Sequence, residues 1–258
     1  MRKYIVQIIT LISGLIFILF LAGLGWTIQY HFSANDTKHT EKAAVKEDIV
    51  KPMGKTIVAL GDSLTRGTGD ESGKGYIGYL VEQLQEKSDE KITLYNLGVK
   101  GYRSGQLLNQ VQQKSVQREL KQANQILITI GGNDLFQGGQ ALMDLNYNNV
   151  EKQRKDYLHN LELTIKEIRS SNQEATIFLV GLYNPFINLE YSKVTTQIVR
   201  QWNFETSQLL DEHKGTVFVP TFDLFQLKVD DYLYSDKFHP NAKGYQLIAE
   251  RVASLITW

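Results

Sequence analysis

The chain of 258 residues has no cysteine. That absence removes disulfides, thiolate metal sites, a cysteine nucleophile and a lipidated amino-terminal cysteine together, and it leaves the redox compartment unmarked. An excess of either charge is missing too. Lys plus Arg equals Asp plus Glu at 28 each, so the formal net charge is zero, and no nucleic-acid or other polyanion partner is expected. There is no internal repeat and no low-complexity tract. Long uncharged apolar runs are absent except at the amino terminus. What is present, 42% apolar residues, is ordinary for a globular protein and sufficient for one sizeable core.

The exceptional run follows Met1-Arg2-Lys3: no charged side chain occurs from Tyr4 to Tyr30. Ile5 to Ile28, 24 residues, spans roughly 36 Å as a helix, enough for a hydrocarbon core of about 30 Å. Arg2 and Lys3 precede it, which keeps the amino terminus in the cytoplasm and sends the remainder across. Residues 1–30 are therefore expected to be a signal anchor in the cell membrane, with the rest on the extracytoplasmic side. The alternative is a cleaved signal peptide and a secreted product, for which Gly23-Leu24-Gly25 is the best substitute for a cleavage site. Residues 31–55 are polar, mixed in charge and poor in aromatics, and read as a linker.

From Thr56 short apolar runs alternate with longer amphipathic stretches. The spacing predicts strands at Thr56–Leu60, Ile92–Asn96, Ile126–Ile130, Thr176–Val180 and Thr216–Val219. Helices are expected at Ile77–Glu86, Gln106–Leu120, Val150–Ser170, Thr195–His213 and Ala242–Ile256. Strand and helix alternating throughout predicts a three-layer α/β/α sandwich on a mostly parallel five-stranded sheet, one domain over 56–258.

The first strand runs into Gly61-Asp62-Ser63-Leu64, placing Ser63 at the carboxyl edge of the sheet, where ligands of open α/β sheets bind. Ser63 is a candidate nucleophile; the alternative is a helix cap. Two matches nearby fail. Gly69 to Gly75 resembles a phosphate-cradling loop, but Thr68 and Gly75 occupy positions that need Gly and Ser or Thr. The G-x-S-x-G elbow fails at Thr65.

A serine nucleophile needs a base, and the base an orienting acceptor. Of five histidines, His31 and His39 lie in the linker and His159 and His213 on helical stretches. His239 is different. In Asp236-Lys237-Phe238-His239-Pro240, just before the last helix, Asp236 could orient one imidazole nitrogen and leave the other facing Ser63; the alternative is again a cap. The third strand ends in Gly131-Gly132-Asn133-Asp134, where the Asn133 amide could donate to an oxyanion. The second runs into Asn96-Leu97-Gly98-Val99-Lys100-Gly101, offering a glycine N–H at the same edge.

In order along the chain, these blocks resemble the SGNH hydrolases, the GDSL-like lipases and acylhydrolases. The resemblance implies Ser63 as nucleophile, Asp236 and His239 as its partners, and an oxyanion hole from the Ser63 and Gly101 N–H groups and the Asn133 side chain, with Gly98 as the alternative to Gly101. It also implies a flavodoxin-like fold and neither metal nor organic cofactor. The expected activity is hydrolysis of carboxylic esters of a lipid, lysophospholipid or acylated cell-surface glycan through an acyl-enzyme. A binding module of the same fold without turnover is the alternative. Phe136 and Leu142 after the third strand, Tyr183, Phe186, Ile187 and Tyr191 after the fourth, and Phe238 beside His239 are candidates to line the acyl pocket; they could equally pack beneath their loops. Oligomeric state is not legible.

Overall fold

The computed structural model describes residues 54–137 and 147–257, together with six isolated helical positions between Ser13 and Gly23. Residues 54–257 belong to one compact unit, Lys51–Trp258. Among the described residues no helix is long and apolar enough to cross a membrane. The expected anchor, apart from those six positions, and the linker up to Met53 lie outside the described residues, as does Leu142.

Five strands form one sheet: β1 (Lys55–Gly61), β2 (Ile92–Asn96), β3 (Gln125–Thr129), β4 (Thr176–Val180) and β5 (Thr216–Val219). Their order is β2-β1-β3-β4-β5 and every pairing is parallel. The chain leaves β1 toward one edge and returns through β3 toward the other. The topological switch point, where a crevice opens at the carboxyl ends of parallel strands, therefore lies between β1 and β3.

Alternation along the strands divides the core in two. Val58 and Leu60 of β1 join Ile126, Ile128, Ile177 and Leu179 on one face. That face is covered by α3 (Ser104–Val111), α4 (Lys114–Gln122), α6 (Tyr147–Ser171) and α7 (Ser192–Asp211). Ile57 and Ala59 point the other way with Leu127, Phe178 and Val180, against α2 (Gly75–Glu86) and α10 (Ala242–Leu255). The sheet is buried on both sides, as continuous apolar strands require.

One expected helix is two. Between α3 and α4 the chain leaves helical geometry at Gln113 (ψ 134°), and the Gln117 side-chain amide donates to the freed Val111 carbonyl at 2.5 Å. Four short helices were not expected: α1 (Ser63–Arg66), α5 (Gly132–Phe136), α8 (Phe222–Gln226) and α9 (Val229–Tyr232). All four follow strand ends or lie in the connection from β5 to the last helix.

Candidate active site

Gly61 ends β1 at φ 122°, and a Cβ there would stand 1.9 Å from the Thr129 carbonyl oxygen of β3. Only glycine permits this approach, which lets the Asp62 N–H donate to that same oxygen at 3.0 Å. The chain then turns into α1. Its cap is Asp62, whose carboxylate accepts from the Leu64 N–H at 3.0 Å. Ser63 is thus the first residue of the helix, not its cap. Its N–H has no acceptor among the described residues, and its hydroxyl is placed to meet a side chain from another loop.

The side chain that meets it is His239. Its Nε2 lies 2.8 Å from Ser63 Oγ, while Nδ1 lies 2.6 Å from Asp236 Oδ2. The other carboxylate oxygen of Asp236 accepts the N–H groups of Phe238 and His239, both at 3.0 Å. Lys237 makes the turn possible by adopting φ 55°. Burial pushes the Asp236 carboxyl up, but the hydrogen bonds from the His239 ring and these two amides outweigh it and hold it below the usual carboxylate range. A carboxylate so held keeps the imidazole proton on Nδ1 and presents the Nε2 lone pair to Ser63. The start of the last helix is as expected: Asn241 is its cap, accepting from Gly244 N–H at 3.0 Å.

The loop after β3 brings Asn133 to the same edge. Gly131 turns at φ 106°, α5 begins, and the Asn133 amide donates to the Tyr102 carbonyl at 2.9 Å. An amide carries two N–H donors, so one is uncommitted. The two glycines after β2 are distinguishable. Gly98 packs against α1, where a Cβ would meet Thr65 Cγ2 at 2.7 Å, and its N–H is spent on Asn96 Oδ1 at 3.1 Å. Gly101 stands at φ 83° with open space around it, and its N–H has no acceptor among the described residues.

Several residues that hold this arrangement were not singled out from sequence. The Asp134 carboxylate accepts the Ser104 N–H at 3.0 and 3.1 Å and the Ser104 hydroxyl at 2.5 Å, tying the β3 loop to the β2 loop. Burial pushes the Asp134 carboxyl up. Behind Ser63, Thr129 Oγ1 donates to Asp62 at 2.7 Å and lies 2.8 Å from Thr65 Oγ1. Asp62 is 2% exposed. Burial, against the hydrogen bonds from Thr129 and Leu64 and aided by the nearby charge of Asp134, raises its pKa to about 6. In the loop that resembles a phosphate cradle, the Asp70 carboxylate accepts from Ser72 and Gly75 N–H groups, each at 2.9 Å. That carboxylate fills the place an anion would need.

Beside Ser63 lies a small cleft of about 20 Å³, lined mostly by apolar groups. Phe136 and Phe238 line it, as do Ile130, Val180, Leu182 and Pro185. Phe186 packs behind them, 5.2 Å from the Phe136 ring centroid. Tyr183 reaches the wall, but its hydroxyl is committed to the Phe238 carbonyl at 2.5 Å. Tyr191 is exposed at 57% and Ile187 packs into the core below. Among the described residues no three His, Asp or Glu side chains are grouped so as to hold a metal.

Residues 59–247 match the GDSL-like Lipase/Acylhydrolase family. The uncharacterized protein YpmR of Bacillus subtilis (strain 168) is 36% identical over 229 residues, covering 87% of this chain and 88% of that protein. The spore germination lipase LipC of Bacillus licheniformis is 27% identical over 201 residues, covering 75% of this chain and 92% of that one. Among solved structures, the lipase Lip_vut3 from a goat rumen metagenome superimposes with a TM-score of 0.71 at 23% identity, over 78% of this chain and 96% of its own, a likeness of fold. The chain belongs to the GDSL-like lipase/acylhydrolase family and is a hydrolase of ester bonds.

Proposed function

We propose that this protein is a serine esterase that cleaves carboxylic esters of a lipid, lysophospholipid or acylated cell-surface glycan through an acyl-enzyme at Ser63. The observation that carries the reading is the continuous relay from Ser63 Oγ to His239 Nε2, 2.8 Å, and from His239 Nδ1 to Asp236, 2.6 Å. In the first step Ser63 Oγ bonds to the acyl carbon as its proton passes to His239 Nε2. Asp236 stabilises the imidazolium. The carbonyl oxygen becomes an oxyanion facing the free N–H groups of Ser63 and Gly101 and the second amide proton of Asn133. Collapse breaks the ester bond, and His239 returns the proton to the departing alcohol. Water, deprotonated by His239, then cleaves the acyl-enzyme and restores the serine hydroxyl.

The apolar segment Ile5–Ile28 and the charges of Arg2 and Lys3 support a place in the cell membrane with the catalytic unit on the extracytoplasmic face. A fluorophosphonate probe tests the chemistry. Labelling of the folded protein that is lost in Ser63→Ala, together with ester hydrolysis lost in the same variant, is the expected result. Folded wild type that takes up no label would overturn it.

A further inference from the structure

Phe136 and Phe238 form one wall of the cleft beside Ser63, with Phe186 packed behind them, and the space the cleft leaves is only about 20 Å³, room for a group little larger than one water or methyl. Phe136 and Phe238 meet edge to face with centroids 6.0 Å apart, and Phe186 contacts both, 5.2 Å from Phe136 and 6.0 Å from Phe238. A methylene chain threaded between two rings needs a contact of about 3.5–4.0 Å on each side, so the rings would have to stand about 7 Å apart or more. None of the three gaps is that wide.

Nor are the walls free to part. Phe136 and Phe186 are 5% and 9% exposed. Phe238 is held at its carbonyl by the Tyr183 hydroxyl and at its N–H by Asp236, and Tyr183 is stacked on Phe225 at 4.2 Å. Across the cleft, both backbone groups of Leu182 are bonded to the Asn203 side chain at 2.8 and 2.7 Å. The Gly181 carbonyl accepts from Thr221 Oγ1 at 2.7 Å, and behind Gly181 the Phe218 ring occupies the space of a Cβ.

From this geometry, and resting on the acyl-enzyme reading above, we infer that the enzyme is specific for short acyl groups, acetyl foremost, and that Phe136 and Phe186 set the limit of chain length. An acetyl ester places one methyl group in the apolar space beside Ser63. Each added methylene must displace a ring from a packed site, and overpacking of that kind is unfavourable. Long-chain lipids are then poor substrates, and acetylated alcohols, including O-acetylated glycans, are the class that fits.

The test compares kcat/KM for p-nitrophenyl acetate and octanoate in the full chain, as wild type, Phe136→Ala and Phe186→Ala, with fluorophosphonate labelling of each. The octanoate-to-acetate ratio cancels any general loss of activity. Wild type is expected to turn over octanoate at least tenfold less efficiently than acetate, and the ratio to rise tenfold or more in each variant. Should one variant fail to fold, the other carries the comparison, with Phe186→Leu beside it. Octanoate used as well as acetate by wild type overturns the inference, as does a ratio unmoved in the labelled variants. A folded wild type that neither labels nor hydrolyses any ester would instead remove the Ser63 reading itself.

Discussion

Asp62 sits directly behind Ser63, and its burial has a consequence for stability. Its carboxyl goes from an ordinary value of 3.8 to about 6 on folding. Between those limits the folded state binds the proton that the unfolded state has released. Stability contributed at this site therefore falls as pH rises through the window and is level above it. Once both states are ionised the cost is about 3 kcal/mol. Asp236 has the opposite sign: its depressed carboxyl contributes stability above the unfolded value that is lost as pH falls. Subtracting the unfolding free energy of Asp62→Asn from that of wild type isolates Asp62, because the other groups cancel. Measured by urea denaturation from pH 4 to pH 7, that difference is expected to move by about 2 kcal/mol against wild type. An offset constant with pH would show that Asp62 is ionised throughout. Nothing in the letters Gly-Asp-Ser marks the aspartate as buried. The fact emerges only when Thr129 and Thr65 close over it from 67 and 3 residues away.

The elements at the sheet edge work as pairs of loops. Asn133 and Gly101 come from different loops, and the distance between them is set by Asp134 gripping Ser104 from across the same gap, with Asn160 of α6 donating to the Ser104 hydroxyl at 3.1 Å. If the Asn133 amide donates to the oxyanion, Asn133→Ala is expected to lower kcat about 100-fold or more. Ser104→Ala removes a hydrogen bond to a carboxylate without touching the cleft, and is expected to lower kcat by acting through Asn133. The double variant should then lose much less in kcat than the sum of the two. Strict additivity in kcat would reduce Ser104 to a packing role. The long elements were legible because their periodicities are long. The strand limits Ile92–Asn96, Thr176–Val180 and Thr216–Val219 agree with the structure, and both cores follow the alternation within β1. The break between α3 and α4 was written in the spacing: Leu107 to Val111 and Val116 to Leu120 are four apart, but Val111 to Val116 is five, a slip that one helical face does not sustain. Four- and five-residue helices such as α1 and α5 bury too little to leave a pattern, and owe their existence to Asp62, Gly131 and their tertiary partners.

At the scale of the whole molecule, the sheet order explains why residues as distant as Ser63 and His239 share a site. The switch point lies between β1 and β3, so the loops after these strands open on one crevice, and the turn before the last helix closes it. Motif order along the chain carried that arrangement in advance, since each block falls at a strand's carboxyl end or just before α10. Side-chain commitments were beyond reach: Tyr183, a pocket candidate by sequence, does line the cleft, but nothing in the sequence shows that its hydroxyl braces the Phe238 carbonyl. The remaining question at this scale is where the catalytic unit works. A segment of 24 uncharged residues, if retained as a helix, holds the chain in the bilayer against alkaline carbonate. We expect the chain expressed in a bacterial host to pellet with membranes at full length after carbonate extraction, and protease added to cells stripped of their wall to release a fragment starting within the linker. A shortened product in the medium would mean that the segment is cleaved, and a protected fragment in intact protoplasts would reverse the orientation. Retention would confine hydrolysis to esters at the cell's own envelope, where acetylated glycans and membrane lipids both lie within reach, so that the acyl limit set by Phe136 and Phe186 would decide between them.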